Sequence, residues 1–131
     1  MRHTYLFFLL SMMGFALVSC GKPKEAAYDQ LDYESRGALA FFKDPETGKG
    51  FTGLAKQTDK KGTVTAEFPM KDGLFHGNVR EWYPDGTPKS ETEFKGGERH
   101  GRNIEWNADG TIYNQRVYER DKIISENKPQ P

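Results

Sequence analysis

Cysteine is all but missing from this chain: Cys20 is the single one in 131 residues. No internal disulfide can staple the fold, so its stability has to come from packing. Histidine is nearly as scarce, at three, and His3 falls in the leader described below, which leaves His76 and His100. Net charge is absent too, with 19 basic and 19 acidic side chains. Lysine and glutamate are interspersed, so no long-range field steers the chain toward nucleic acid or anionic lipid headgroups. Catalytic signatures are lacking: there is no G-x-S-x-G, no H-E-x-x-H and no glycine-rich phosphate loop. The only serines beyond the leader are Ser35, Ser90 and Ser125. Long apolar runs are confined to the first twenty residues.

Those twenty residues read as an address. Arg2 supplies a positive start, residues 5–18 form a short apolar stretch, and small Ser19 precedes Cys20. The run Leu17-Val18-Ser19-Cys20 resembles the lipobox of bacterial lipoproteins. The resemblance implies cleavage after residue 19 and acylation of Cys20, palmitate included, with the leader too short for a comfortable membrane span of about 20 residues. Three acyl chains exceed the two-signal threshold for stable anchoring, so the mature chain is expected to be tethered in the cell envelope. Gly21 after the cysteine, where enteric inner-membrane lipoproteins carry Asp, favours the outer membrane in a Gram-negative cell. Loss of residues 1–19 removes Arg2 alone among the charged side chains, and the remainder stays near neutral. Residues 20–30 are polar and read as a tether, and one domain spans residues 31–124.

The centre of that domain is one sequence written twice. GLFHGNVREWYPDGTPKSETEFKG is followed by GERHGRNIEWNADGTIYNQRVYER at an offset of about 24 residues. His76-Gly77 returns as His100-Gly101, Trp82 as Trp106, Asp85-Gly86-Thr87 as Asp109-Gly110-Thr111, and Phe94 as Tyr118. One period earlier, Gly53, Gly62, Thr63, Met70 and Gly73 fall on Gly77, Gly86, Thr87, Phe94 and Gly97. The chain therefore carries three copies, at residues 51–72, 73–96 and 97–121, the first degenerate.

Phe51-Thr52-Gly53, a glycine about nine residues on, an aromatic, Lys-Asp-Gly and His-Gly together resemble the bacterial variant of the MORN repeat, carried under the label YwqK-family antitoxin. The resemblance covers residues 39–124. It departs at the edges, where Thr58 stands in place of tryptophan and Arg120-Asp121 in place of Gly96-Gly97, as terminal copies of an array commonly do. It implies a sheet of repeated hairpins and, as one function, neutralisation of a cognate toxin.

The residues point to the same fold class. Asp85-Gly86 and Asp109-Gly110 are expected to make tight turns with positive φ, pairing residues 78–84 with 87–94 and 102–108 with 111–118. In period two, Val64, Ala66, Phe68 and Met70 share a face with Pro88, Ser90, Thr92 and Phe94, then with Ile112, Asn114, Arg116 and Tyr118. Thr65, Glu67, Lys89, Glu91, Glu93 and Gln115 take the other. The expectation is an all-β antiparallel meander of consecutive hairpins, one side on a core and one in water. Residues 31–42 could open with a helical turn and end in an apolar strand. Residues 125–131 are expected to be a disordered tail.

For function, unlike groups do not converge. Equivalent positions on neighbouring hairpins lie two strand spacings apart, roughly 9–10 Å, too far for His76 and His100 to share a zinc ion at about 2.0–2.1 Å from each. Glu81, Glu105, Asp85 and Asp109 repeat at the same spacing and read as solvated faces and turns. No metal, cofactor, nucleic-acid partner or enzymatic activity is expected. A line of like side chains suits an extended contact, so Trp82, Trp106, His76 and His100 are the candidate partner-binding residues, with Cys20 the lipidation site. Two functions follow: a membrane-anchored, non-catalytic module binding a protein or envelope component, or a toxin-neutralising lipoprotein of the YwqK type.

Overall fold

The computed structural model describes residues 22–128; Cys20 and its lipobox lie outside them. Among the described residues, strands Glu25–Ala27 (β1), Asp32–Arg36 (β2), Leu39–Lys43 (β3), Gly53–Thr58 (β4), Val64–Lys71 (β5), Leu74–Phe75 (β6), Gly77–Trp82 (β7), Pro88–Lys95 (β8), Glu98–Trp106 (β9), Ile112–Glu119 (β10) and Lys122–Asn127 (β11) make two sheets. Nine strands form one, in the order β1-β4-β5-β7-β8-β9-β10-β11 with β6 on β5, and β2 and β3 form the other. The all-β meander of consecutive hairpins is therefore the fold. No helix among the described residues is long and apolar enough to cross a membrane.

The repeat is visible in the strand bounds: β5, β8 and β10 start at Val64, Pro88 and Ile112, and each runs for 8 residues. Two turn types alternate at the two ends of the sheet. Between copies sit two-residue turns with left-handed φ at both positions, Asp72 and Gly73 (51° and 84°), Gly96 and Gly97 (59° and 88°), Arg120 and Asp121 (49° and 63°). That is the type I′ requirement, which matches the strands' own twist. Within copies the Asp-Gly pairs make a longer loop than expected. Tyr83 N–H donates to Thr87 O and Gly86 N–H to Tyr83 O, both at 2.9 Å, and only the glycine, at 87°, is left-handed. Asp85 is instead an acceptor, taking Thr87 N–H at 2.9 Å and its hydroxyl at 2.6 Å. Asp109 repeats this with Thr111, and these bonds hold both carboxyls below the usual carboxylate range.

Both ends of the described segment carry more regular structure than expected, residues 129–131 of the expected tail lying outside it. The tether holds β1, which pairs in parallel with β4 and closes that edge of the sheet, followed by a 3-10 turn at Tyr28–Gln30. The helical turn thus precedes residue 31, and Asp32–Arg36 is a strand. Ala26 and Tyr28 pack against the core, apolar contacts that a polar average over residues 20–30 conceals. At the other end, residues 125–127 belong to β11 and not to a loose tail, since Glu126 accepts from Asn114 Nδ2 at 2.9 Å and from Arg116 Nε at 2.8 Å. β11 opens a fourth copy of the pattern and is exposed throughout, Ile124 at 61%.

The alternation of faces holds, but the inner face is a core only in its first half. There the β2–β3 hairpin and the 3-10 turn lie over the sheet, and Leu31, Phe42, Phe51, Ala55 and Met70 pack together. Fully burying a side chain of the Phe or Leu kind stabilises by about 1.5–3 kcal/mol. Rings continue the cluster, Tyr28 on Phe68 at 4.3 Å, Phe42 on Phe75 at 5.2 Å and Phe75 edge-on to Phe94 at 5.3 Å. The cap is tied down through the backbone: Phe42 N–H donates to Gly73 O, Gly73 N–H to Phe51 O, and Phe51 N–H to Phe42 O, at 2.8, 2.8 and 3.0 Å. Gly73 has to be glycine, since a Cβ there would stand 2.5 Å from the Phe41 ring and 2.8 Å from Phe42 O. Lys24 and the buried Asp44 close the cap's rim with an ion pair.

Candidate functional site

Beyond Phe94 the cap stops, and the inner face opens into a cavity of about 580 Å³ lined from β7, β8, β9 and β10. Several residues of this half occupy repeat positions that are buried in the first copy. Ala66, Phe68 and Met70 of β5 become Ser90, Thr92 and Phe94 in β8, then Asn114, Arg116 and Tyr118 in β10. Ala55 becomes Val79 and then Asn103; Gln57 becomes Glu81 and then Glu105. Cross-strand register puts them on one face: Glu81 opposite Ser90, Ser90 opposite Glu105, Thr92 opposite Asn103, Asn103 opposite Arg116. Moving along the array, apolar side chains give way to hydrogen-bonding ones.

Ion pairs dominate the floor. Arg116 Nη1 sits 3.2 and 3.3 Å from the two oxygens of Glu105, and its Nε donates to Glu126 at 2.8 Å. The Glu126 bond raises the guanidinium's pKa further, while Asn114 and then Arg116 hold Glu126 below the usual carboxylate range. Lys89 stands in the outer-face register, yet its ammonium reaches Glu81 at 3.3 Å and lines the cavity. Arg99 pairs with Asp121 at 2.7 Å and lies 4.3 Å over the Tyr118 ring. All of these are partly exposed pairs, worth at most about 1 kcal/mol each.

Two amides are deeply buried in this polar half, Asn103 at 6% and Asn114 at 0% exposure. Asn103 Nδ2 donates to Thr92 Oγ1 at 2.8 Å and Asn114 Nδ2 to Glu126, but neither Oδ1 has a donor. A buried, unpaired carbonyl costs about 1–3 kcal/mol. Aromatic side chains form the rim. Tyr83 donates its hydroxyl to Trp106 O at 2.8 Å, fastening two copies together, and the Tyr113 side chain is 59% exposed.

Of the residues singled out from sequence, Trp106 lines the cavity and Trp82 does not, although both are half-buried at equivalent places. His76 and His100 are exposed, stand at the positions of Thr52 and Ile124 in the flanking copies, and have β8 between them. Neither lines the cavity. Among the described residues, no three His, Cys, Asp or Glu side chains gather as metal ligands would. Asn103, Asn114, Arg116, Tyr83 and Tyr113 are not singled out from sequence, and Glu105 reads there as a solvated face; aligning the copies and asking where an apolar core position turns polar finds Asn103, Asn114 and Arg116, but not Glu105, whose position is polar in every copy.

Compared with known proteins, the chain matches no family model, no curated protein and no solved structure.

Proposed function

We propose that this chain is a lipid-anchored, non-catalytic repeat module of the bacterial cell envelope, holding its partner against the open half of the inner face. The carrying observation is that half-face itself: a cavity of about 580 Å³ with an aromatic rim, at positions that the first copy fills with core. Large, half-exposed rings bury much area at little conformational cost and anchor such contacts. The charged groups on its floor are engaged with one another, an arrangement that supports holding a ligand over transforming it. The lipobox resemblance supports the anchor, and the MORN-variant resemblance supports a binding role.

Affinity purification from envelope fractions tests the reading. Trp106→Ala is expected to weaken capture by at least about 1 kcal/mol, Trp82→Ala by less, and Tyr33→Ala, on the cap, not at all. Cys20→Ser is expected to abolish palmitate labelling and release the chain from membranes. Capture indifferent to Trp106, or a wild-type chain that is soluble and unlabelled, overturns the corresponding half of the proposal. Robust turnover by the purified protein in a broad hydrolase screen overturns its non-catalytic part.

A further inference from the structure

We propose that the cavity on the open half of the inner face is a saccharide site, taking a neutral oligosaccharide; this rests on the reading of that face as the binding surface. The charge balance selects the class of ligand. Each cation lining the cavity is in an ion pair, Lys89 with Glu81, Arg99 with Asp121, Arg116 with Glu105 and Glu126. A phosphate or carboxylate would have to break one of these pairs, whereas a hydroxyl can share it. Planar guanidinium, carboxylate and amide groups present donors and acceptors in one plane, the geometry that vicinal hydroxyls of a sugar ring match two at a time. Arg116 is held from both sides, so its orientation is set before a ligand arrives and little rotamer freedom is lost on binding.

The rim and Asn103 complete the fit. Trp106 and Tyr113 offer ring surfaces to the apolar C–H faces of a pyranose, and Tyr113 is 59% exposed. Asn103 lines the cavity at the position where the preceding copy has Val79, and its Oδ1 lacks a donor. A hydrogen-bonding side chain thus stands where an apolar one would serve packing alone. A cavity of about 580 Å³ lies within the roughly 300–1,000 Å³ of small-molecule sites. Its four adjacent strands span roughly 14 Å, room for more than one sugar ring.

Intrinsic fluorescence reads the binding directly. The chain has two tryptophans, so Trp82→Phe leaves Trp106 as the sole indole at the cavity. The purified full chain in detergent is titrated with cellobiose, chitobiose and maltose, and separately with inorganic phosphate. At least one disaccharide is expected to give a saturable change with a dissociation constant at or below about 1 mM. Tyr113→Ala is expected to weaken it about tenfold, and Tyr33→Ala to leave it unchanged. No saturable response to any of the three sugars, phosphate binding as tightly as the best sugar, or an affinity unchanged by both Tyr113→Ala and Asn103→Val overturns the proposal. If the sugars fail while envelope capture still depends on Trp106, the saccharide assignment falls and the binding module stands; if capture also ignores Trp106, both fall.

Discussion

The covered and the open halves of the inner face use the same backbone positions, about 24 residues apart, and differ in what lies over them. Under the cap, Ala55 and Met70 are buried against Phe42 and Phe51, and Ala66 of the same copy is buried as well. Past the cap, the equivalent Asn103, Asn114 and Tyr118 are just as buried, but two of the three are amides with unmet carbonyls. Burial by the sheet and its neighbouring side chains is thus common to both halves, while the packed apolar cluster lies under the cap. One half is built for stability; the other keeps polar groups in places where stability alone would replace them.

Four experiments test that contrast. The largest effect belongs to the covered half: Phe51→Ala, at a side chain 1% exposed, is expected to cost about 3–5 kcal/mol in denaturant unfolding. Tyr113→Ala in the open half should stay within about 0.5 kcal/mol; equal losses would erase the distinction. Next come two glycines with nearly the same φ, Gly73 at 84° and Gly86 at 87°. Gly86→Ala has open space around it and is expected to cost about 1 kcal/mol in backbone strain alone. Gly73→Ala adds the collision with Phe41 and Phe42 and should approach about 3 kcal/mol. Similar midpoints for the two variants would mean that the cap does not seat there.

A smaller effect of opposite sign is expected inside the open half. Thr92→Val with Asn103→Val removes a bonded pair together with its orphaned carbonyl, and replacing both partners by apolar groups is close to neutral or stabilising. The double variant should unfold no earlier than wild type, and later by up to about 1 kcal/mol, while losing ligand. A loss of 2 kcal/mol or more, on the scale of about 1–3 for broken buried contacts, would make these amides structural.

The smallest effect is the pH dependence. Asp44 is held below its usual range first by Lys24 and then by the Glu46 amide, and Glu126 first by Asn114 and then by Arg116. A carboxyl whose folded-state pKa is depressed contributes fully above its unfolded value, and the contribution disappears as pH falls through the folded one. Melting temperature should therefore be flat at neutral pH and decline below the ordinary carboxylate range. Lys24→Met should soften the decline from the covered half and Arg116→Met that from the open half. Decline curves identical to wild type in both variants would remove these pairs from the balance.

Much of the fold was legible because a repeat is its own alignment. The glycine and aromatic spacing announces the hairpins, and period two sorts Phe68 from Glu67 without knowledge of any neighbour. The turns were legible only in part. The sequence suggests Asp85 as a left-handed turn residue, but the threonine two residues on offers its carboxylate two donors in a longer loop, and Asp72-Gly73 carries the tight turn instead. The ends were hardest. Glu25–Ala27 becomes a strand because β4 offers an edge, and residues 125–127 because Asn114 and Arg116 offer donors; neither signal is local.

By itself, the sequence determined the all-β class, the spacing of the hairpins and which side chains share a face, because strand periodicity and turn chemistry act between residues close in the chain. Where the inner face is roofed was decided only in the tertiary structure. The roof comes from residues 28–43, outside the repeat, and seats where Gly73 admits Phe41 and Phe42. That docking is a contact between distant segments, and it separates a phenylalanine core from a polar cavity at positions the repeat makes equivalent.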